Sequence, residues 1–266
     1  MITIPELLNT FAKQTDYIRS RKANVVSPYF FELKVDDFNA NHLRSFLMKR
    51  LNEGIKPATV VKEFQVLKAS LKLGGFKTKV FKKVPIKNAD VKRDRRMTQL
   101  DRQALMKTHA LRPRESNIIE AVDLAIETAM RRNELSSLTW DMVDFDKRMI
   151  SLPARITKTK RGRKIPMSSK TIEICRKLQK QKNLTVLNMT NTALGLAWAR
   201  WKGQASKIYP PIKSLRFHDL RHEAISRLAE KGFTIPEMMC VSGHADQRCL
   251  LRYVQLKAED LLDKFQ

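Results

Sequence analysis

Apolar residues recur at helical spacing near the start of the chain. In NANHLRSFLMKRLNEG, residues 39–54, Leu43, Phe46, Leu47 and Leu51 share one face of a 3.6-residue repeat, and the run closes on Gly54. KPATVVKEFQVLKASLKLGG, residues 56–75, repeats the pattern with Val60, Phe64, Leu67 and Leu71 and stops at Gly74 and Gly75. Two helices are predicted, packed on one side and lined with Lys and Arg on the other. Later, SSKTIEICRKLQK, NTALGLAWARWKG, FHDLRHEAISRLAEKG, TIPEMMCVSG and DQRCLLRYVQL all read as helices, with Trp140, Trp198 and Trp201 as core residues. The exception is MISLPARITKTKRGRKIPMS, which is β-branched in places and broken by KRG, the pattern of a small hairpin with a basic tip. The expected fold class is mainly α with a small β-hairpin (α+β).

Between the two helical blocks, KTKVFKKVPIKNADVKRDRR, residues 77–96, loses all apolar period, and nine of its twenty residues are basic. It reads as a linker, so the chain divides into a helical domain (1–76), a basic linker (77–96) and a second domain (97–266). Thr98, three residues before Asp101, opens the second domain as an N-cap. The chain ends in KAEDLLDKFQ, an amphipathic tail whose Leu261, Leu262 and Phe265 pack on their own domain or on a neighbouring copy.

Charge then narrows the partners. Lys and Arg number 52 against 27 Asp and Glu, a net charge of +25 over 266 residues, and such a field concentrates polyanions. Nucleic acid is the leading partner, and Lys82, Lys83, Arg93, Arg95 and Arg96 of the linker are expected to lie along DNA when it is bound. A content of 42% apolar residues provides for a real core and excludes a disordered basic tail. No apolar run reaches membrane-spanning length and MITIPELLNTFAKQ lacks the order of a signal peptide, so a cytoplasmic location and no membrane partner are expected. Cys175, Cys240 and Cys249 are too few and dispersed for a disulfide framework; reduced, mostly buried thiols are expected.

The candidate chemistry gathers in four stretches. FHDLRHEAISRL places His218, Arg221 and His222 on neighbouring positions of one helix surface. ETAMRRNELSSLTW carries Arg131 and Arg132 after an apolar helix, with Glu134 three residues beyond Arg131. TKTKRGRK offers Lys158 and Lys160, and SGHADQRCLLRY offers His244 and Tyr253. These residue types suit transfer of a phosphoryl group between oxygens without a metal or other cofactor. Tyr253 is then the expected nucleophile and His218 its expected base. Arg131 and Arg221 are expected to fork onto the non-bridging oxygens, His244 to donate to the same phosphate, and Lys158 to protonate the leaving 5′ oxygen. His222 reads as a supporting residue, and Arg132, Lys160 and Arg163 as DNA-facing or solvated; His42 and His109 have no assigned role. HDLRH also has the spacing of a two-histidine zinc helix, but Asp219 stands where a zincin needs Glu. A non-enzymatic helical DNA binder is the stronger rival, and a relaxing topoisomerase shares the covalent chemistry.

TAMRRNEL, TKTKRGRKIPMS, HDLRHEAISRL and SGHADQRCLLRY together, in this order, resemble the tyrosine recombinase, or phage integrase, family. The resemblance implies a C-shaped two-domain clamp on DNA, with a core-binding domain ahead of the catalytic one. It implies that Arg131, Lys158, His218, Arg221 and His244 surround the scissile phosphate, that Tyr253 attacks it to give a 3′-phosphotyrosyl intermediate, and that Glu134 buttresses the site. It further implies an inverted-repeat core site, a tetramer on two DNA sites with the tail helix docked on a neighbour, an accessory DNA-bending protein, and no need for ATP. Ala129 stands where the family often has Gly, and Ser242 where Leu is common; neither replaces a catalytic group. The N-terminal arm-binding domain of many phage integrases is expected to be absent.

Overall fold

The computed structural model describes residues 2–87, 94–111 and 117–254. They form two compact units, Met1–Arg93 and Asp94–Gln266.

In the first unit, α1 (Ile4–Lys13) starts from a Thr3–Glu6 capping box and buries Ile4, Leu7, Leu8 and Phe11. Helix α2 (Tyr17–Val26) starts from Asp16, which accepts from the backbone N–H groups of Ile18 and Arg19. Both precede the first helix read from the sequence, and α2 buries only Ala23 and Val26, too little to leave a period. Helices α3 (Ala40–Asn52) and α4 (Pro57–Leu73) match the two predicted ones. His42 has a local role: its Nδ1 accepts from the Asn39 backbone N–H at 3.3 Å and completes the cap of α3.

The linker expectation is corrected in its first half. Residues 79–83 form a 3-10 turn, Val84 is buried, and Val80 and Phe81 pack on the same core, Phe81 against Phe64 at 5.7 Å. With Ile86, four apolar residues suffice to anchor a segment whose lysines, Lys82 and Lys83 among them, stay exposed. Arg93 lies outside the described residues.

One buried ion pair holds α3 to α4. Arg50 reaches Glu63 through Nε and Nη2 at 2.9 and 2.6 Å, and Nη1 meets Glu53 at 2.6 Å and the Tyr29 hydroxyl at 3.0 Å. Arg50 and Glu63 are 8% and 2% exposed, so removing one leaves a dehydrated charge behind. Glu63→Ala is expected to destabilise the first unit by about 3 kcal/mol. An unchanged denaturant midpoint would show that Glu53 and Tyr29 hold Arg50 unaided.

The second unit opens with the predicted cap: Thr98 and Asp101 exchange backbone-to-side-chain bonds at 2.8 and 3.2 Å ahead of α5 (Gln99–Leu111). Helix α6 (Ile118–Thr128) is buried on nearly every side and forms the centre of the core. It is followed by α7 (Arg132–Ser136) and by strands β1 (Val143–Asp144), β2 (Met149–Leu152) and β3 (Arg163–Pro166). The predicted hairpin is β2–β3, with Ile150 opposite Ile165, and β1 adds a third antiparallel strand in the order β1-β2-β3. Helices α8 (Ser169–Gln179), α9 (Asn191–Ile208), α10 (Asp219–Glu230) and α11 (Ile235–Ser242) complete the unit. The protein is thus mostly helical with one small sheet. Trp198 and Trp201 of α9 are buried, Trp201 donating to the Leu105 carbonyl at 2.9 Å and taking the His109 ring edge-on. Trp140 is only half-buried and donates to the Asn183 carbonyl at 2.8 Å.

Two further expectations change. DQRCLLRYVQL is not a helix over its described part but two 3-10 turns, Gln247–Cys249 and Leu251–Tyr253. Asp246 takes the Arg248 N–H at 3.0 Å, a local bond that competes with α-helical continuation. Of the cysteines only Cys175 is buried, which pushes its thiol up to about 11, whereas Cys240 and Cys249 are exposed. The tail from residue 255 lies outside the described residues.

Candidate active site

The end of α6, the start of α7, the first turn of α10, the end of α11 and strand β3 meet in one cleft. Helix α6 stops because Ala129 takes a left-handed conformation, φ 53°, which favours glycine and accounts for the expectation of Gly there. The reversal turns Arg131 out of the core. Its Nη1 meets Glu134 Oε1 at 2.9 Å, while its backbone N–H donates to Oε2 at 2.8 Å.

Glu134 is 1% exposed. Burial alone would raise its pKa, but Arg163, donating at 3.0 and 2.8 Å, and Arg131 together hold it below the usual carboxylate range. Arg163 also donates to the Val241 carbonyl at 2.9 Å, and its side chain is only 7% exposed. The expectation that Arg163 faces DNA is therefore corrected: its guanidinium is spent inside, tying β3 to α7 and α11. Gly243 permits this, since it has φ 66° and any Cβ there would fall 2.9 Å from Arg163.

Arg221 lies deeper still. Nη1 donates to the Ala129 carbonyl and Nη2 to the Ser242 carbonyl, both at 2.6 Å, and His244 stands 3.4 Å from Nη2. Burial, with Arg131 and Arg163 nearby, drags its pKa down to about 9. His244 is pushed down to about 4 by burial and by the charges of Arg221 and Arg131. Ser242 orients it: the hydroxyl lies 2.8 Å from His244 Nδ1 and bonds the Met238 carbonyl at 2.6 Å, a role that leucine at this position would lack.

His218, at the exposed rim, is lowered by partial dehydration and by Arg221, Arg131 and Lys158. Lys158 and Lys160 sit exposed on the β2–β3 connection, which Thr157 fastens by donating to the carbonyls of Ala154 and Arg161 at 3.1 and 2.9 Å. Arg132 is exposed and donates to Asn191 at 2.8 Å.

Tyr253 is half-buried, and burial raises its pKa. Its hydroxyl meets His222 Nδ1, not His218, whose ring is 5.3 Å from that of His222. Sequence reasoning gave His222 only a supporting role; its place one residue after Arg221 carried no sign of contact with the phenol. His222 itself is held down to about 4 by burial, by His218 and by Arg252. Arg252 stacks on the Tyr253 ring at 5.0 Å and pairs with Asp94 at 3.1 Å.

Arg95 and Arg96 are drawn away from the expected DNA-facing role. Arg95 pairs with Asp101 at 2.7 Å, and Arg96 pairs with Glu223 at 2.9 Å and with Glu230. No group of His, Cys, Asp or Glu among the described residues has the geometry of a metal site, so the zinc-helix reading of HDLRH finds no third ligand there.

The model of the phage integrase family matches residues 95–260. The chain belongs to this family. Among its phage integrase relatives is the shufflon-specific DNA recombinase of Escherichia coli, 34% identical over 175 residues. That match covers 65% of this chain but 43% of the relative, so the chain spans less than half of that protein's length. The fold is also that of an integrase of the Tn1549 transposon solved in complex with a circular intermediate DNA, with a TM-score of 0.82, 15% identity and coverage of 100% and 99% of the two chains. A lambda integrase tetramer bound to a Holliday junction matches with a TM-score of 0.75 at 15% identity, over 95% of this chain and 77% of that one. Among the described residues no helix is long and apolar enough to cross a membrane.

Proposed function

We propose that this phage integrase family member is a site-specific DNA recombinase that cleaves and rejoins strands through a 3′-phosphotyrosyl intermediate. The observation that carries the reading is a tyrosine hydroxyl against an imidazole in a cleft with a buried Arg221, depressed to about 9, whose guanidinium bonds two carbonyls and has no carboxylate partner among the described residues. In the proposed reaction the scissile phosphate enters between Arg131, Arg221 and His244. Tyr253 Oη attacks phosphorus, the bond to the 5′ oxygen breaks, and Lys158 gives that oxygen its proton. The phenolic proton passes to the imidazole it already touches, His222, rather than to His218. Burial is the first cause that holds both histidines down, and a bound phosphate offsets the second, the cations around them, and so raises their basicity. Rejoining is the reverse, with a 5′ hydroxyl attacking the phosphotyrosine.

The same reading extends to a clamp formed by both units around a duplex with an inverted-repeat core site, to a tetramer on two sites, and to an accessory bending protein. It places the protein in the cytoplasm, encoded by a mobile element and acting as an integrase or invertase. The lambda integrase tetramer supports the assembly, and the shufflon recombinase supports recombination as the outcome.

The test is covalent trapping. Duplexes selected from a random library for binding are nicked beside the candidate scissile phosphate and incubated with the protein in EDTA. An SDS-resistant adduct through a 3′ phosphate is expected; its absence on bound DNA favours the non-enzymatic binder. Affinity is also expected to fall steeply with salt, and a binding constant indifferent to salt between low and physiological levels would refute the clamp.

A further inference from the structure

Many arginines of the second unit pair with carboxylates: Arg95 meets Asp101, Arg102 meets Asp123, Arg163 meets Glu134, and Arg96 and Arg227 meet Glu223. In one cavity of about 460 Å³ cations gather without such partners. Three cations line it, Arg132, Lys202 and Arg216, together with Trp198, Phe217 and His218. Among the described residues none of the three has a carboxylate partner. Arg132 bonds only the Asn191 amide oxygen, and Lys202 the carbonyls of Lys213 and Leu215 at 3.1 and 3.0 Å. The Arg216 backbone N–H goes to Asp219 at 2.8 Å, while its guanidinium forms no ion pair there.

The fold keeps these like charges together. Arg132 lies across α9 at Gly195, where a Cβ would come within 2.6 Å of its Nη1. Trp198, 4% exposed, has an indole N–H with no partner, the sole buried side-chain donor or acceptor so left among the described residues. Three uncompensated cations around one hollow repel each other, and an anion placed among them removes that cost.

We propose that this cavity is a second phosphate seat, which holds a backbone phosphate of the cut strand next to the scissile one. The inference rests on the reading of the chain as a DNA-cleaving enzyme. Arg131 and Arg132 are consecutive, yet Arg131 turns to Glu134 and the cleft while Arg132 turns to α9. His218 belongs to both places, lining the cavity and feeling Arg131, Arg221 and Lys158. Two seats that share one histidine suit consecutive phosphates. The second then sets the strand's register, so that only one phosphate reaches Tyr253.

The experiment compares wild type, Arg132→Gln, Arg216→Gln and the double variant on random-sequence duplex as salt is raised. Both side chains are exposed, and a thermal melt confirms that each variant folds. One shared phosphate predicts that the double variant loses about 0.9 from the slope of log affinity against log salt, no more than a single lost contact. A loss of about 1.8, which means two separate phosphates, or no loss, overturns the seat. On the nicked duplex, a neutral methylphosphonate at each phosphate flanking the scissile one is expected to slow wild-type adduct formation at least tenfold at one position, and to leave the double variant indifferent there. Wild-type cleavage unaffected at either position overturns the seat while the Tyr253 chemistry stands. If wild type forms no adduct even on unmodified DNA, the enzymatic reading fails instead.

Discussion

Tyr253→Phe is expected to bind duplex DNA as wild type does and to leave no covalent adduct on it. The ring has its own anchors, Arg252 stacked at 5.0 Å and His222 at 6.0 Å, so deleting one oxygen leaves the segment in place. What goes is the oxygen that would attack. An adduct at the wild-type rate would remove Tyr253 as nucleophile, whereas an adduct lost together with binding would make the tyrosine structural. His222→Ala supplies the companion measurement: with the nucleophile present but its imidazole gone, cleavage should slow by about 10² to 10⁴, the usual worth of a placed proton acceptor. His222→Ala cutting like wild type would return the base to His218.

Glu134→Ala is expected to have the largest effect on stability, a loss of about 3–5 kcal/mol of unfolding free energy. The carboxylate is 1% exposed and compensates both Arg131 and Arg163, the second of which has a side chain only 7% exposed. Without it β3, α7 and α11 lose their common tie, and DNA cleavage falls with them. The same pair sets an acid limit. Glu134 has its folded pKa below the ordinary value of 4.5, so the stability it lends is complete at neutral pH and fades as pH drops below 4.5 towards the folded value. Urea melts of wild type and Glu134→Gln should converge in strong acid. Equal melts at neutral pH would show the ion pairs to be incidental.

Helices α3 and α4 and the four chemical stretches were legible because each carries its own local signal, a 3.6-residue period or an unusual set of residue types. The linker was misread because Val80, Phe81, Val84 and Ile86 are sparse among lysines, and a segment anchored by four such side chains has no period to show. DQRCLLRYVQL has helical spacing, but the bond from Asp246 to the Arg248 N–H turns the chain instead. Arg163 has the same composition signal as its exposed neighbours; only the fold of β3 against α7 tells a buttress from a surface cation. Likewise, the weight of Ser242 and His222 depends on contacts across elements, to His244 and to Tyr253, which no stretch of sequence contains.

The buried guanidinium of Arg221 bears on how such a protein lives between reactions. Burial drags its pKa down to about 9 and that of His244 beside it to about 4, so the cleft gathers groups whose positive charge the fold compensates little. On the proposed reading, a duplex entering the cleft brings negative charge to it and so acts as a structural component as well as a substrate. Duplex DNA is then expected to raise the melting temperature of the protein and to slow its proteolysis.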